Sequence, residues 1–225
     1  MTQFPKAFIF DLDGVITDTA ELHYEAWKKL ADQLGITIDR EFNEQLKGIS
    51  RMESLELILA QDPKLKDMSQ DDKERYATQK NNHYKDLLKT INPTDILPGI
   101  KDLLEAIKNN NIKIGLGSAS KNAPAVLEQL ELTNYFDYLV DAGKVSKGKP
   151  DPETFTTAAE GLEVAFEDCV GIEDATAGIE ALNKANMFSV GVGSKDQLSE
   201  ADYIVDSTTG LNFDKIVKRY GEWKQ

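Results

Sequence analysis

The hydrophobic positions fall into two regimes along the chain. Ala7-Phe8-Ile9-Phe10 is an unbroken apolar run that stops at Asp11-Leu12-Asp13-Gly14, which predicts a short buried strand entering a polar turn. Similar runs recur at 112–116, 138–140, 169–172 and 189–192, and Tyr203–Val205 has the look of an edge strand. Helical spacing fills the intervals at Ile100–Asn109, 123–130, 152–161 and 175–185, and a last helix is predicted over 211–220. Strands alternating with helices imply a parallel sheet covered on both faces, hence an α/β fold.

Residues 18–93 break this alternation. Helical patterns cover 20–34, 42–46, 52–60 and 71–88, with Leu22, Ala26, Leu30 and Leu34 near one-face spacing and Asp71-Asp72 placed to cap the last helix. No strand is predicted there. The organisation expected is a sheet domain made of 1–17 and 94–225, interrupted by a helical domain at 18–93 that caps the strand ends. Ile96-Leu97-Pro98-Gly99 leads the chain back to the sheet. The charge-rich stretch 62–75 reads as a solvated loop and helix start.

Composition narrows the partners. In 225 residues, 26 Lys and Arg face 39 Asp and Glu, a net charge of −13. Such a field repels nucleic acid and anionic membrane surfaces, so neither is expected as a partner, and an anionic substrate needs a local group of cations to hold it. No apolar run is long enough to span a bilayer, and the start lacks a secretory pattern, because Asp11 cuts short the first apolar run. A cytoplasmic location is expected. The single cysteine, Cys169, rules out an internal disulfide, and a thiolate metal site would need more of them. At the start of a predicted strand it reads as an inert core residue.

Four short segments carry candidate chemistry. Asp11 and Asp13 stand where the first strand ends, and open α/β sheets bind ligands beyond the carboxyl ends of their strands; a plain polar turn is the alternative. Glu173 and Asp174 end another predicted strand, where Asp174 would also serve as a helix N-cap. Together these strands deliver four carboxylates to one sheet edge, which requires protons or a cation among them. Oxygen-only ligands suit Mg²⁺. Gly117-Ser118-Ala119-Ser120-Lys121-Asn122 is a small-residue turn before a helix expected near Lys121. Amides and hydroxyls there make an anion site, unless the turn is simple helix punctuation. Lys149, ahead of Pro150, is either a solvated loop lysine or the counter-charge for those carboxylates.

In this order and at these separations the set resembles the haloacid dehalogenase superfamily. Asp11-Leu12-Asp13-Gly14-Val15 is similar to its first motif, Ser118 to its second, Lys149 to its third and Gly171-Ile172-Glu173-Asp174 to its fourth. A helical insert after the first motif corresponds to its small cap type. A narrower resemblance, to the β-phosphoglucomutase family, is carried by Asp11-Leu12-Asp13-Gly14-Val15-Ile16-Thr17-Asp18-Thr19-Ala20 with His23. It continues through Phe42-Asn43-Glu44-Gln45-Leu46-Lys47-Gly48-Ile49-Ser50-Arg51 and Ser118-Ala119-Ser120-Lys121-Asn122. One departure is Lys144, where that family commonly has an acid.

The resemblance implies a Rossmann-like parallel-sheet core with an inserted α-helical cap. The implied activity is Mg²⁺-dependent phosphoryl transfer through an aspartyl-phosphate on Asp11. It would interconvert β-D-glucose 1-phosphate and β-D-glucose 6-phosphate, with β-glucose 1,6-bisphosphate as intermediate and activator. Asp13 is the implied general acid and base. Asp11, Asp13 (through its backbone carbonyl), Glu173 and Asp174 are the implied metal site, and Ser118 and Lys149 hold the phosphoryl oxygens. Thr19, His23, Lys47, Gly48, Arg51, Lys80, Ala119, Ser120, Lys121 and Asn122 are the implied substrate-binding and cap positions, with Arg51 the candidate for a second phosphate. Without the resemblance, His23 reads first as a surface histidine, Lys47 and Arg51 read first as solvated helix charges, and Tyr24 and Trp27 as packing within the helical insert. Two rival readings are a sugar-phosphate phosphatase on the same fold and a non-catalytic sugar-phosphate binding protein. A monomer acting on small-molecule sugar phosphates is expected.

Overall fold

The structure is a computed structural model and describes residues 4–46 and 49–225. The chain runs β1 (Ala7–Phe10), α1 (Ala20–Gln33), α2 (Arg40–Glu44), α3 (Arg51–Leu59), α4 (Gln70–Leu88) and α5 (Ile100–Asn109). It continues through β2 (Lys113–Leu116), α6 (Ala123–Gln129), β3 (Tyr138–Leu139), α7 (Glu153–Gly161), β4 (Cys169–Glu173), α8 (Thr176–Lys184), β5 (Phe188–Val192), β6 (Tyr203–Val205) and α9 (Phe213–Trp223). These elements divide into two compact units, one of Met1–Asp18 with Asn92–Gln225 and one of Thr19–Ile91.

The first unit holds a six-stranded sheet in the order β3-β2-β1-β4-β5-β6, with all neighbours parallel. β1 lies between β2 and β4, and all four of its residues are buried. Its side chains alternate between two covered faces. Ala7 and Ile9 join Phe155, Leu162, Ile179 and Leu182 in one apolar cluster, while Phe8 and Phe10 meet Phe213 and Phe136. Burial on both faces explains why the strand reads as a continuous apolar run.

Register sets the level of the strand ends. Phe10 pairs with Leu116 on one side and with Ile172 on the other. The ladder extends one step further, since Asp11 N–H donates to Ile172 O at 2.9 Å and Gly117 N–H donates to Phe10 O at 2.8 Å. Asp11, Gly117 and Glu173 therefore leave the sheet side by side. Where the chain leaves and re-enters this unit, Thr17 and Ile96 form a bridge and Thr17 Oγ1 donates to Asp95 O at 2.8 Å.

The second unit is helical and has its own apolar cluster, formed by Tyr24, Trp27, Leu30, Leu55, Ile58, Leu59 and Ala77 among others. Three expectations need correction. The cap of α4 is Ser69, whose hydroxyl accepts from Asp72 N–H, so Asp71 and Asp72 fall in the first turn, where their charge suits the helix dipole. The helix expected over 42–46 lies at Arg40–Glu44, because the Asp39 carboxylate accepts from Phe42 N–H and starts it earlier. The start near Lys121 expected from the small-residue turn falls at Ala123, where the helical spacing over 123–130 puts it. Among the described residues no helix is long and apolar enough to cross a membrane.

Candidate active site

The site in the sheet unit is built from strand ends. Asp11 follows β1, and Glu173 closes β4. The Asp11, Glu173 and Asp174 carboxylates each bring an oxygen within 4.8 Å of the others. Two glycines make this approach possible. Gly14 has φ +76°, and a Cβ there would overlap Asp174 Oδ2. A Cβ at Gly178, in the first turn of α8, would overlap Glu173 Oε1. Asp174 does not cap α8, whose N-cap is Ala175 with no side-chain bond.

Lys149 binds two of these three acids from below the surface. Its ammonium lies 2.6 Å from Asp11 Oδ1 and 2.7 Å from Glu173 Oε1, with 4% of its side chain exposed. It also stands 4.7 Å from the centre of the Phe155 ring, a cation–π contact. Glu173 Oε2 accepts from the N–H groups of Asp174 and Ala175 at 2.6 and 2.9 Å. The loop before Lys149 is basic but outward-facing, and the departure Lys144 pairs at 3.5 Å with Asp141 on the surface.

Electrostatics show what the trio lacks. Burial drives the Asp11 carboxyl up to about 7, with Glu173 and Asp13 adding repulsion against the pull of Lys149. Asp174 rises to about 8, through burial of its carboxylate and then repulsion by Glu173 and Asp11. As a whole residue Asp174 is exposed, so its rise is better ascribed to the neighbouring anions. Burial works against the Lys149 ammonium, but Asp11 and Glu173 overcome it and hold its proton more tightly than an ordinary lysine does. With all three ionised, three carboxylates against one ammonium leave two negative charges in excess. An all-oxygen set with that deficit fits a hard divalent cation such as Mg²⁺.

The loop after β2 lies beside this cluster. Ser118 is buried and its Oγ accepts from Ser120 N–H at 3.1 Å, while Ser120 Oγ accepts from Asn122 N–H at 3.3 Å. Asn122 is buried, and Ala119 and Lys121 are exposed. Asp13, two residues beyond Asp11, is half-buried and bridges to Thr17 through its backbone.

In the helical unit His23 is no free surface group. Lys80 Nζ stands 2.8 Å from His23 Nδ1, and the imidazole stacks on Tyr84 with ring centres 4.0 Å apart. An ammonium has no lone pair to offer, so Nδ1 accepts and the proton sits on Nε2. Lys80 is itself buried, over the rings of Trp27 at 4.5 Å and Tyr84 at 4.9 Å. Burial, then Lys80 and Arg51, hold the His23 pKa well below the usual imidazole value. Thr19, fully buried, accepts at Oγ1 from the Tyr84 hydroxyl at 3.1 Å. Tyr24 and Trp27 pack in the apolar cluster of this unit. Arg51 is the first residue of α3, half-buried. Lys47 and Gly48 lie outside the described residues.

Tyr84, Phe155 and Gly178 escaped the reading of the sequence, as did the contact of Trp27 with Lys80. Trp27 and Lys80 are 53 positions apart and no local pattern joins them. Phe155 and Gly178 had a signal, because each sits in the first turn of a helix that follows a motif segment.

Comparison with known proteins agrees with this geometry. Residues 5–186 match the family profile of the haloacid dehalogenase-like hydrolases. A β-phosphoglucomutase from Bacillus subtilis is 48% identical over 220 residues, covering 98% of this chain and 96% of that protein. A crystal structure of β-phosphoglucomutase from Clostridium difficile superposes with a TM-score of 0.95 at 55% identity, covering 98% of this chain and 99% of that one. A phosphorylated carbohydrates phosphatase from Thermotoga maritima is 33% identical, covering 81% of this chain and 82% of that protein. With its strand-end carboxylates, buried lysine and inserted helical unit, the chain belongs to the haloacid dehalogenase-like family and, within it, to the β-phosphoglucomutases.

Proposed function

We propose that the protein is a Mg²⁺-dependent β-phosphoglucomutase that interconverts β-D-glucose 1-phosphate and β-D-glucose 6-phosphate. The observation that carries this reading is the Asp11 carboxylate, held 2.6 Å from a buried ammonium inside a trio of acids at the end of the central strand. A carboxylate needs no general base to attack phosphorus. Lys149 and Glu173 fix its direction.

In the first half-reaction an Asp11 oxygen forms a bond to phosphorus while the bond from phosphorus to the sugar oxygen breaks. Asp13 gives its proton to the departing oxygen. In the second half Asp13 takes a proton from the incoming hydroxyl, which attacks the aspartyl-phosphate and frees Asp11. The hydroxyl at C6 of β-glucose 1-phosphate accepts first, giving β-glucose 1,6-bisphosphate, which also charges the enzyme as activator. Return of the C1 phosphate to Asp11 releases glucose 6-phosphate. Ser118 and Lys149 hold the equatorial phosphoryl oxygens as charge spreads over them. Asp11, Asp174 and Glu173, with the Asp13 carbonyl, are the residues that hold Mg²⁺. Bound there, the ion offsets negative charge on the transferring group.

A bisphosphate needs a second cationic group, and Arg51 is the residue assigned to it. It opens α3, where a positive charge opposes the helix dipole, and it has no carboxylate partner among the described residues. Its guanidinium fork suits phosphate. Thr19, His23, Lys80, Ala119, Ser120, Lys121 and Asn122 complete the proposed binding set. The same reading makes the enzyme a cytoplasmic monomer.

The competing activity is hydrolysis, which the kinship to a carbohydrate phosphatase keeps in view. Incubation with β-glucose 1-phosphate, Mg²⁺ and a trace of bisphosphate separates the two. Rapid glucose 6-phosphate, abolished by Asp11→Asn, is the expected result. Glucose and free phosphate as main products would overturn the assignment.

A further inference from the structure

Lys149 follows a stretch without helix or strand, residues 141–148, that contains Gly143 and Gly148. Such a segment gives a buried ammonium little intrinsic direction, since each glycine widens the range of backbone conformations. Something must hold the loop. The first turn of α7, immediately downstream, is placed to do so.

Glu153 is the first residue of α7 and is half-buried. Its two carboxylate oxygens accept separate backbone amides of the loop, Ser146 N–H to Oε1 at 2.8 Å and Lys147 N–H to Oε2 at 2.7 Å. Both are charge-assisted bonds, stronger than neutral ones, and an acid at a helix N-terminus is itself favoured. Asp151 secures the base of the clamp. Its Oδ1 accepts from Glu153 N–H at 3.1 Å, and its own N–H donates to Gly148 O at 3.0 Å. Two residues along the same turn, Phe155 presents its ring to the Lys149 ammonium at 4.7 Å. One turn of helix thus grips the loop backbone on one side and receives the lysine on the other.

We propose that Glu153 is a positioning residue for phosphoryl transfer: by clamping the amides of Ser146 and Lys147 it aims Lys149 at Asp11. The carboxylate of Glu153 is taken up by the two loop amides and makes no bond to Asp11, so its effect passes through Lys149. The proposal rests on the phosphoryl-transfer reading above.

The test is a double-mutant cycle read as the rate at which acetyl phosphate phosphorylates Asp11 at saturating Mg²⁺, followed by intact mass. Glu153→Ala slows phosphorylation at least about tenfold in the native background, with little change in half-saturating donor concentration or melting temperature. In Lys149→Ala the same substitution costs less than about twofold, because the group it positions is gone. Glu153→Gln, which keeps one oxygen acceptor, falls between. A loss of equal size in both backgrounds makes Glu153 merely structural and overturns the proposal, as does an unchanged rate in Glu153→Ala. Should Lys149→Ala react too slowly to follow, calorimetric titration with inorganic phosphate decides: Glu153→Ala weakens binding several-fold, and an unchanged affinity overturns the proposal. If the wild-type protein accepts no phosphoryl group from acetyl phosphate, the functional reading itself fails.

Discussion

At the scale of the residue, His23 ties the stability of the fold to pH. Its Nδ1 accepts from Lys80, and a second proton would place two cations 2.8 Å apart against the Tyr84 ring. The folded protein keeps the imidazole neutral, while the unfolded chain protonates it near pH 6.5. Below that pH the unfolded state binds more protons than the native one. Stability from this group is therefore full above about pH 6.5 and is lost as pH falls toward the depressed native pKa, at no more than about 1.4 kcal/mol per pH unit. Denaturant melts at pH 7.5 and 5.5 in saturating Mg²⁺ should show the decline in the native protein and a flatter response in His23→Asn, whose amide oxygen still accepts from Lys80. Equal declines would mean that His23 is not the titrating group. Residues differ in how legible they were. Asp11 and Glu173 could be read because a carboxylate at the end of an apolar run has few structural uses. The neutral state of His23 could not, since Lys80 is 57 positions away and only folding brings it near.

Elements were legible to the extent that their burial is uniform. β1 and β6 carry the bounds their apolar runs predict, because a strand buried or half-buried along its length ends where polarity begins. Helix starts were less legible: α1, α5 and α6 begin where the spacing puts them, and the others slipped by one or two residues. There the competition lies between neighbouring cap candidates, and Ser69 wins over Asp71 because its hydroxyl stands three residues before Asp72 N–H and accepts from it, while Asp71 is next to that amide and falls inside the helix. α8 shows how an element can be built against its own stability. Gly178 sits in its first turn, where alanine is better by about 1 kcal/mol on intrinsic propensity. The glycine is there because Glu173 Oε1 occupies the space a methyl would fill. Gly178→Ala displaces that carboxylate and with it one of the two acids that hold Lys149. The expected signature is a melting temperature within a few degrees of the parent and a rate of Asp11 phosphorylation at least tenfold lower. Full activity in the alanine variant would show that the Glu173 carboxylate can move without consequence.

On the scale of the whole molecule, a net charge of −13 raises the question of which cations stabilise the protein, and how. Any salt relieves long-range repulsion in so acidic a chain, so stabilisation by MgCl₂ proves nothing alone. The strand order puts a second, local problem inside the general one. β1 and β4 are adjacent and in register, so their terminal acids have to meet. That adjacency was not readable from the sequence, since buried parallel strands look alike and the crossovers decide which become neighbours. Burial raises the proton affinities of Asp11 and Asp174, and the resulting repulsion among the acids raises them further. A bound divalent ion removes it and stabilises the native state by about 2.7 kcal/mol at a hundred times its dissociation constant. For a chain of this length that is roughly 5–10 °C in melting temperature. NaCl at equal ionic strength should give a much smaller rise. Asp174→Asn separates the two effects, because it leaves the global field nearly intact while removing one acid from the trio. The metal-free variant should melt no lower than the metal-free parent, having lost a repulsive charge. Its response to MgCl₂ should shrink to that of NaCl. If Asp174→Asn keeps the full magnesium increment, the ion is bound elsewhere on the acidic surface and the trio is not the metal site.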